Sequence, residues 1–166
     1  VYEYVQKVYP DLNQVEQALE EGFKRYLSLY PDSLAPKVVA YVGGFNHKLF
    51  TVDRTIGIGL DQYLGQENPF YDMLGTPVYL QRRMYPANIP SDVMHVWGSA
   101  LYPYHDSVDN VLSRMVYQGM LYFFASILLP QEDEATLLGF STDELKFCRN
   151  NEHQMWTYLI EHKLLF

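Results

Sequence analysis

A helical pattern of apolar residues between Val108 and Ile127 is the sequence feature that most limits how this chain can fold. Apolar side chains recur there at spacings of three and four residues, which is the period of one helix face. The stripe consists of Val108, Val111, Leu112, Met115, Val116, Gly119, Tyr122 and Phe123. Because such a stripe must be buried against another layer, the sequence predicts that it faces the core. The apolar stretch from Met120 to Leu129 covers only about half of the ~20 residues that a membrane-spanning helix needs.

Three short segments in the first half of the chain predict a small sheet. Lys37–Val42 predicts a buried strand, and Leu49–Val52 and Thr55–Leu60 predict two more. Gly57 and Gly59 leave one face of the third strand bare, which predicts that another part of the chain packs closely there. Helical patterns precede and follow these strands. The predicted fold class is therefore α+β, mostly helical with a small sheet of two to three strands.

The composition predicts one folded domain over residues 1–166. An apolar content of 48% in 166 residues is enough for a core without cross-links, and the single cysteine, Cys148, forms no internal disulfide. The net charge of −8, with no run of basic residues, disfavours nucleic acids and anionic membrane surfaces as partners. No signal segment follows Val1, so we expect an N-terminal targeting region to have been removed.

No complete catalytic signature is present in the sequence. The motifs HExxH, GxSxG and CxxC and a Walker loop are all missing, and no two histidines have the four-residue spacing of a helical zinc site. Asp61 follows the third predicted strand, where a carboxylate either lines a cleft or caps the turn into the next loop. The sequence therefore predicts no catalytic residue, no metal ligand and no cofactor.

The last predicted helix contains the carboxylate that is hardest to explain. Ser141–Glu144 is a capping box that opens this helix, which is predicted to run to about Lys163. Glu152 falls on the same face as Cys148 and Trp156, in the middle of an apolar stripe. Because a buried carboxylate must be paired, hydrogen-bonded or bound to a metal, Glu152 is either satisfied by neighbouring donors or acts as a metal ligand or general acid/base.

Several blocks of the sequence carry a resemblance to a known family. They are Ile56–Gly65, Met115–Tyr122, Leu129-Pro130, Phe140–Leu145, Cys148–Glu152, Trp156–Tyr158 and Leu164-Leu165. In order and spacing, from about Tyr9 to the C-terminus, they resemble the gliding-motility lipoprotein GldB family. The resemblance implies a lipid-anchored protein of the cell envelope, periplasmic or associated with the outer membrane. The signal peptide and lipid anchor of that family would lie in an N-terminal region that this sequence lacks.

The resemblance also implies a zincin-like arrangement, related to metallopeptidases that carry HExxH on a helix. In that arrangement the helix over 108–127 takes the place of the active helix, and Tyr117, Gln118 and Leu121 stand where His, Glu and His stand in an active enzyme. Asn151-Glu152 resembles the pair that supplies a third, carboxylate ligand in some of these enzymes. A single carboxylate does not hold catalytic zinc, which requires three protein ligands.

With that ligand set missing, the resemblance predicts a non-catalytic envelope module that binds a protein partner in a gliding-motility- or secretion-associated assembly. The predicted binding cleft comprises Asp61, Tyr117, Gln118, Asn151, Glu152 and Trp156. Two alternatives remain open: an atypical metal-dependent hydrolase using Glu152 with Asp61 or a loop histidine, and a glycan-binding protein that stacks sugars on loop tyrosines. No nucleic-acid partner is expected, and membrane contact is expected only through the N-terminal lipid anchor.

Overall fold

Helices dominate the structure, with 58% of the residues in helical elements. The computed structural model describes residues 1–105, 107 and 109–166, so Asp106 and Val108, which opens the predicted core stripe, lie outside the described residues. In chain order the elements are α1 (Tyr2–Val8), α2 (Asn13–Leu29), β1 (Lys37–Tyr41), β2 (Leu49–Val52), β3 (Thr55–Gly59), α3 (Pro69–Met73), α4 (Val78–Gln81), α5 (Ile89–Leu101), α6 (Val111–Leu128), α7 (Glu134–Leu138), α8 (Thr142–Asn150) and α9 (Glu152–Glu161).

The three strands form one mixed sheet in the order β1-β3-β2. β3 pairs parallel to β1 and antiparallel to β2, which confirms the three predicted strands. The prediction that the first of them is buried is wrong, because β1 lies at the edge of the sheet and all of its residues are exposed or half-buried. The phenyl ring of Phe50 lies over Gly57 so closely that a Cβ there would approach the ring to 2.1 Å. At Gly59 a Cβ would lie 2.4 Å from the carbonyl oxygen of His47. The predicted close approach at the bare strand face is therefore confirmed.

Local side-chain chemistry accounts for several helix ends. The side chain of Asn110 accepts a 2.8 Å bond from the Ser113 amide at the start of α6, and Ser141 and Glu144 form the predicted capping box at the start of α8. Such caps satisfy amides that have no partner within the helix. Helix α7 ends at Gly139, whose φ of +68° is the left-handed conformation that glycine adopts at least cost.

The core lies between the sheet and helices α2, α5 and α6. Helix α5 packs against β2 and β3, and α2 and α6 pack against α5. The indole of Trp97 on α5 meets the rings of Phe23 and Tyr26 edge to face. The mostly helical α+β class is confirmed, whereas the zincin-like arrangement stays a prediction. Helix α6, which that arrangement would make the active helix, packs mainly on other helices.

The stripe of α6 that the sequence predicts to be buried is the exposed one. The side chains of α6 that enter the core are Leu121, Phe124, Ala125 and Leu128. Phe123 is 67% exposed, while its neighbour Phe124 is 8% exposed. Apolar residues surround most of this helix, so periodicity alone does not determine which stripe is buried. Gly98 on α5 decides it, because the absence of a side chain there lets Phe124 and Leu121 pack against the α5 backbone.

The prediction of one long C-terminal helix is also wrong. The chain forms two helices, α8 and α9, separated at Asn151. Neither of them contains a buried residue, and Glu152 is exposed at the first position of α9. Glu152 therefore has no desolvation cost that requires a metal ion or a buried donor.

Candidate functional site

A cleft of about 520 Å³ between β2, α4, α5 and α6 gathers seven charged or hydrogen-bonding side chains. Its walls are formed by Lys48, Leu49, Thr76, Leu80, Arg83, Met84, Asp92, His95, Val96, Gln118 and Tyr122. A second groove, of about 400 Å³, lies between α2 and the sheet and has a largely apolar lining. Because recognition and chemistry need convergent polar groups, the first cleft is the candidate site.

Asp92 is the centre of this cleft. Its carboxylate is nearly buried and receives Lys48 Nζ at 2.6 Å on Oδ2 and Arg83 Nη2 at 3.2 Å on Oδ1. The Tyr63 hydroxyl donates to Oδ2 at 3.0 Å. Burial, and then the Asp92 charge, raise the pKa of Tyr63 far above its usual range, so this hydroxyl keeps its proton and acts as a donor. Two cations facing one carboxylate leave the cluster with one surplus positive charge.

Arg83 is held on several sides. Its Nη1 donates to the Tyr122 hydroxyl at 3.1 Å, and Gly139 lies so close that a Cβ there would meet Arg83 Nε at 2.2 Å. Burial lowers the pKa of Arg83, but the Asp92 carboxylate and the Tyr122 hydroxyl more than offset it and raise the pKa above its ordinary value. Arg83 is therefore permanently charged and fixed in position, as a specific charge in a binding site must be.

His95 and Gln118 form the α5–α6 wall of the cleft. His95 Nε2 lies 2.9 Å from Gln118 Oε1, and the imidazole packs on the Tyr122 ring with 4.8 Å between centroids. Burial lowers the pKa of His95, so the ring is neutral at pH 7 and its Nε2–H donates to Gln118. The Gln118 amide nitrogen has no hydrogen-bond partner within the described part of the chain.

Of the six residues predicted from the sequence, Gln118 is the one that lines this cleft. The Tyr117 hydroxyl instead donates to the Tyr102 carbonyl at 2.8 Å. The Asn151 amide donates to the Phe147 carbonyl at 2.8 Å, at the junction of α8 and α9. Glu152 and Trp156 lie on α9, where both are exposed. The structure therefore does not gather these residues into one site.

Asp61 lies immediately after β3 and is fully buried. Its Oδ2 accepts hydrogen bonds from the amides of Gly43 (3.1 Å) and Phe45 (2.7 Å). Gly44 and Phe45 both have a positive φ, +66° and +65°, a conformation that is costly for a bulky residue such as Phe45. These contacts hold the loop between β1 and β2 rather than the turn that follows β3, so they differ from the local cap that the sequence left open for Asp61.

A metal site requires several ligand side chains clustered around one point. Within residues 1–105, 107 and 109–166, no three His, Cys, Asp or Glu side chains lie close enough together to hold a metal ion. Both Asp92 oxygens are engaged by donors. The donors of the candidate cleft fit an anion better than a cation.

The residues that dominate the cleft are ones that the sequence pattern did not single out. Lys48, Arg83 and Asp92 come from three separate segments, and Asp92 lies in the first turn of α5. One signal was present: Asp92 and His95 are three residues apart on a helix, which places them on the same face. The positions of Lys48 and Arg83 had no such signal.

Helix α6 presents a second surface beside the cleft. Four apolar side chains there, Val116, Met120, Phe123 and Ile127, are exposed and form the α6 outer face. By length and composition, α6 is the one described helix that could cross a membrane, and 22% of it is buried inside the fold. One such helix is weak evidence for a membrane span, and the buried side of α6 packs against α5 and α2.

Comparison with known proteins supports the resemblance. The sequence model of one family, described as "Gliding motility protein GldB", matches residues 1–166, the whole chain. No curated protein and no solved structure gives a significant match. The resemblance predicted from the sequence blocks is thus confirmed. The chain belongs to the GldB family, and this membership suggests a gliding-motility-associated lipoprotein of the cell envelope.

Proposed function

We propose that the chain is a non-catalytic module of the cell envelope that binds a protein partner in a gliding-motility- or secretion-associated assembly. The observation that carries the proposal is the α6 outer face, on which Val116 is 65% and Phe123 67% exposed. Contiguous exposed apolar surface of this kind is typical of interaction sites, whereas single exposed apolar residues are not. In the full-length lipoprotein, the N-terminal lipid anchor places this module at the membrane surface, periplasmic or outer-membrane-associated.

The spacing of the α6 outer face suits a protein surface. Val116, Met120, Phe123 and Ile127 follow one another at four, three and four residues, which places them on one side of the helix. The eleven helical steps of ~1.5 Å from position 116 to position 127 give a stripe about 16 Å long. A partner helix or an apolar groove of roughly three turns would cover such a stripe.

The C-terminal helices extend the available surface. Helices α8 and α9 bury no residue, and large apolar side chains such as Phe147 and Ile160 are exposed there. Two ion pairs, Arg82 with Glu144 and Arg149 with Glu134, link α8 to the rest of the chain. Since exposed ion pairs contribute little stability, a partner that covers the apolar side chains of α8 and α9 would fix these helices in place.

The test places a photo-cross-linking amino acid at Phe123 of the full-length lipoprotein in its native cells. Met73 on α3 is the matched control, because it is also apolar and is 79% exposed. We expect an adduct of defined mass from position 123 and none from position 73. We also expect Phe123→Glu, but not Met73→Glu, to abolish the adduct formed from a cross-linker at position 120.

Two results would contradict the proposal. One is equal cross-linking from positions 123 and 73, which would indicate random collisions. The other is a specific peptidase activity of the purified chain that survives Phe123→Glu. Unfolding curves of both glutamate variants should match that of the wild type, because neither side chain lies in the core.

A further inference from the structure

The Lys48–Arg83–Asp92 cluster has one more positive charge than its own ion pairs require. Arg83 and the Tyr63 hydroxyl together already compensate the Asp92 carboxylate, with contacts of 3.2 and 3.0 Å. Lys48 adds a second cation at 2.6 Å, although its side chain is one-third exposed. The whole chain has a net charge of −8, so a surplus cation in a cleft is a local exception that favours an anion.

Lys48 is held in position rather than left free in solvent. Its Nζ lies 4.6 Å from the centroid of the Tyr63 ring and 3.4 Å from the Arg83 carbonyl oxygen. A cation over an aromatic face and beside two oxygen acceptors has lost most of its rotameric freedom before any ligand arrives. Such preorganisation lowers the entropic cost of binding.

Two side chains of the cleft have donors that their hydrogen bonds within the protein leave available. The Tyr122 hydroxyl accepts from Arg83, which leaves its own proton available. Gln118 uses its oxygen for His95, which leaves its amide hydrogens available in the described structure. Both Asp92 oxygens are occupied, so the cleft offers a cation little. Donors beside a surplus positive charge are what an anionic oxygen group requires.

The rest of the lining limits the kind of anion. Leu49, Leu80, Met84 and Val96 form apolar walls around the polar cluster, and the cleft holds about 520 Å³. Sites of this size and lining take small molecules or a terminal residue with an apolar body. One surplus charge matches a monoanion better than a doubly charged phosphate.

We propose that this cleft binds a carboxylate attached to an apolar chain, with Lys48, Tyr122 and Gln118 donating to the carboxylate and the leucine, methionine and valine walls covering the chain. The ligand is either a small free carboxylic acid or the C-terminal residue of a peptide, which share this chemistry. The proposal does not depend on the α6 outer face or on the partner bound there.

Isothermal titration of the full chain tests the proposal with four probes: acetyl-leucyl-leucine, the same peptide as its C-terminal amide, octanoate and inorganic phosphate. We expect the free-acid peptide to bind at least tenfold more tightly than its amide and than phosphate. If octanoate binds as tightly as the peptide acid, the ligand is a small carboxylic acid. If the peptide acid binds clearly more tightly than octanoate, the ligand is the C-terminus of a peptide.

Variants separate this site from general charge effects. Lys48→Met should weaken binding of the tighter acid at least tenfold. Lys7→Met is the matched control, because Lys7 also lies over a tyrosine ring, that of Tyr4. Since Lys7 is on α1 and does not line the cleft, this substitution should leave the affinity for the acid unchanged. Tyr122→Phe should weaken binding several-fold while the unfolding curve stays close to that of the wild type. Equal affinity for acid and amide, or equal affinity of the Lys48→Met and Lys7→Met variants, would overturn the proposal.

Discussion

Two adjacent phenylalanines on α6 give a direct test of which side of this helix is buried. Phe124 is 8% exposed, and its ring meets those of Tyr26 and Tyr102 edge to face at centroid distances of 6.5 and 6.1 Å. Phe123 points away from the core and is 67% exposed. The periodicity of the sequence favours the opposite assignment, since it places Phe123 on the core stripe.

The structure gives a large difference between the two alanine substitutions. Phe124→Ala loses a buried ring and leaves a cavity between α2, α5 and α6, which costs about 3–5 kcal/mol. Complete burial of a phenylalanine side chain contributes about 2–3 kcal/mol, and because Phe123 is 67% exposed, Phe123→Ala loses roughly a third of that. The higher helix propensity of alanine offsets about 0.5 kcal/mol of this loss. The net cost at Phe123 is therefore about 0.5 kcal/mol or less.

Equilibrium unfolding in urea, followed by far-ultraviolet circular dichroism, measures both changes. With a slope near ~2 kcal/mol per molar urea, the midpoint should fall by about 2 M for Phe124→Ala and by about 0.3 M or less for Phe123→Ala. The slope itself should stay constant, because neither change alters the extent of the fold. A Phe123→Ala variant that loses as much stability as Phe124→Ala would refute the assignment of the buried face.

Three further predictions concern Asp61, His95 and the metal content. Asp61→Ala should lower the free energy of unfolding by about 2–4 kcal/mol, because two charge-assisted bonds to loop amides are lost, and Asp61→Asn by about half of that; a loss below about 1 kcal/mol for Asp61→Ala in the same urea assay would contradict a structural role. The pKa of His95 is lowered in the folded chain, so below the ordinary histidine pKa the unfolded chain binds more protons than the folded one. The contribution of His95 to the free energy of unfolding is therefore full above about pH 6.5. It declines as the pH falls through the lowered pKa. The difference in unfolding free energy between wild type and His95→Gln should therefore shrink on acidification from pH 8 to 5, and a constant difference would count against it. Plasma mass spectrometry after zinc dialysis should find less than about a tenth of an equivalent of zinc, and a stoichiometric amount that disappears in Glu152→Ala would revive the hydrolase alternative, since a catalytic site needs three ligands.

Sequence patterns predicted elements whose signals are local. The strands, the capping box at Ser141 and the close packing at Gly57 depend on neighbouring residues, and all three are confirmed. The break at Asn151 escaped prediction because the apolar spacing continues through it. Asp61 was placed correctly at the end of β3, but its two amide partners come from a loop 16 and 18 residues away, which no local pattern reveals.

The sequence by itself determined the fold class and the family, because both depend on residue order along the chain. Only the tertiary structure decided which side of α6 is buried and which side chains form the candidate cleft. A helix that is apolar on most sides has several equivalent stripes, and packing against Gly98 selects one of them. Likewise, the side chains of Lys48, Arg83 and Asp92 meet only because the core brings β2, α4 and α5 together. Arg83 is 35 residues from Lys48 and 9 residues from Asp92 along the chain, and no local sequence pattern predicts contacts of about 3 Å over such separations.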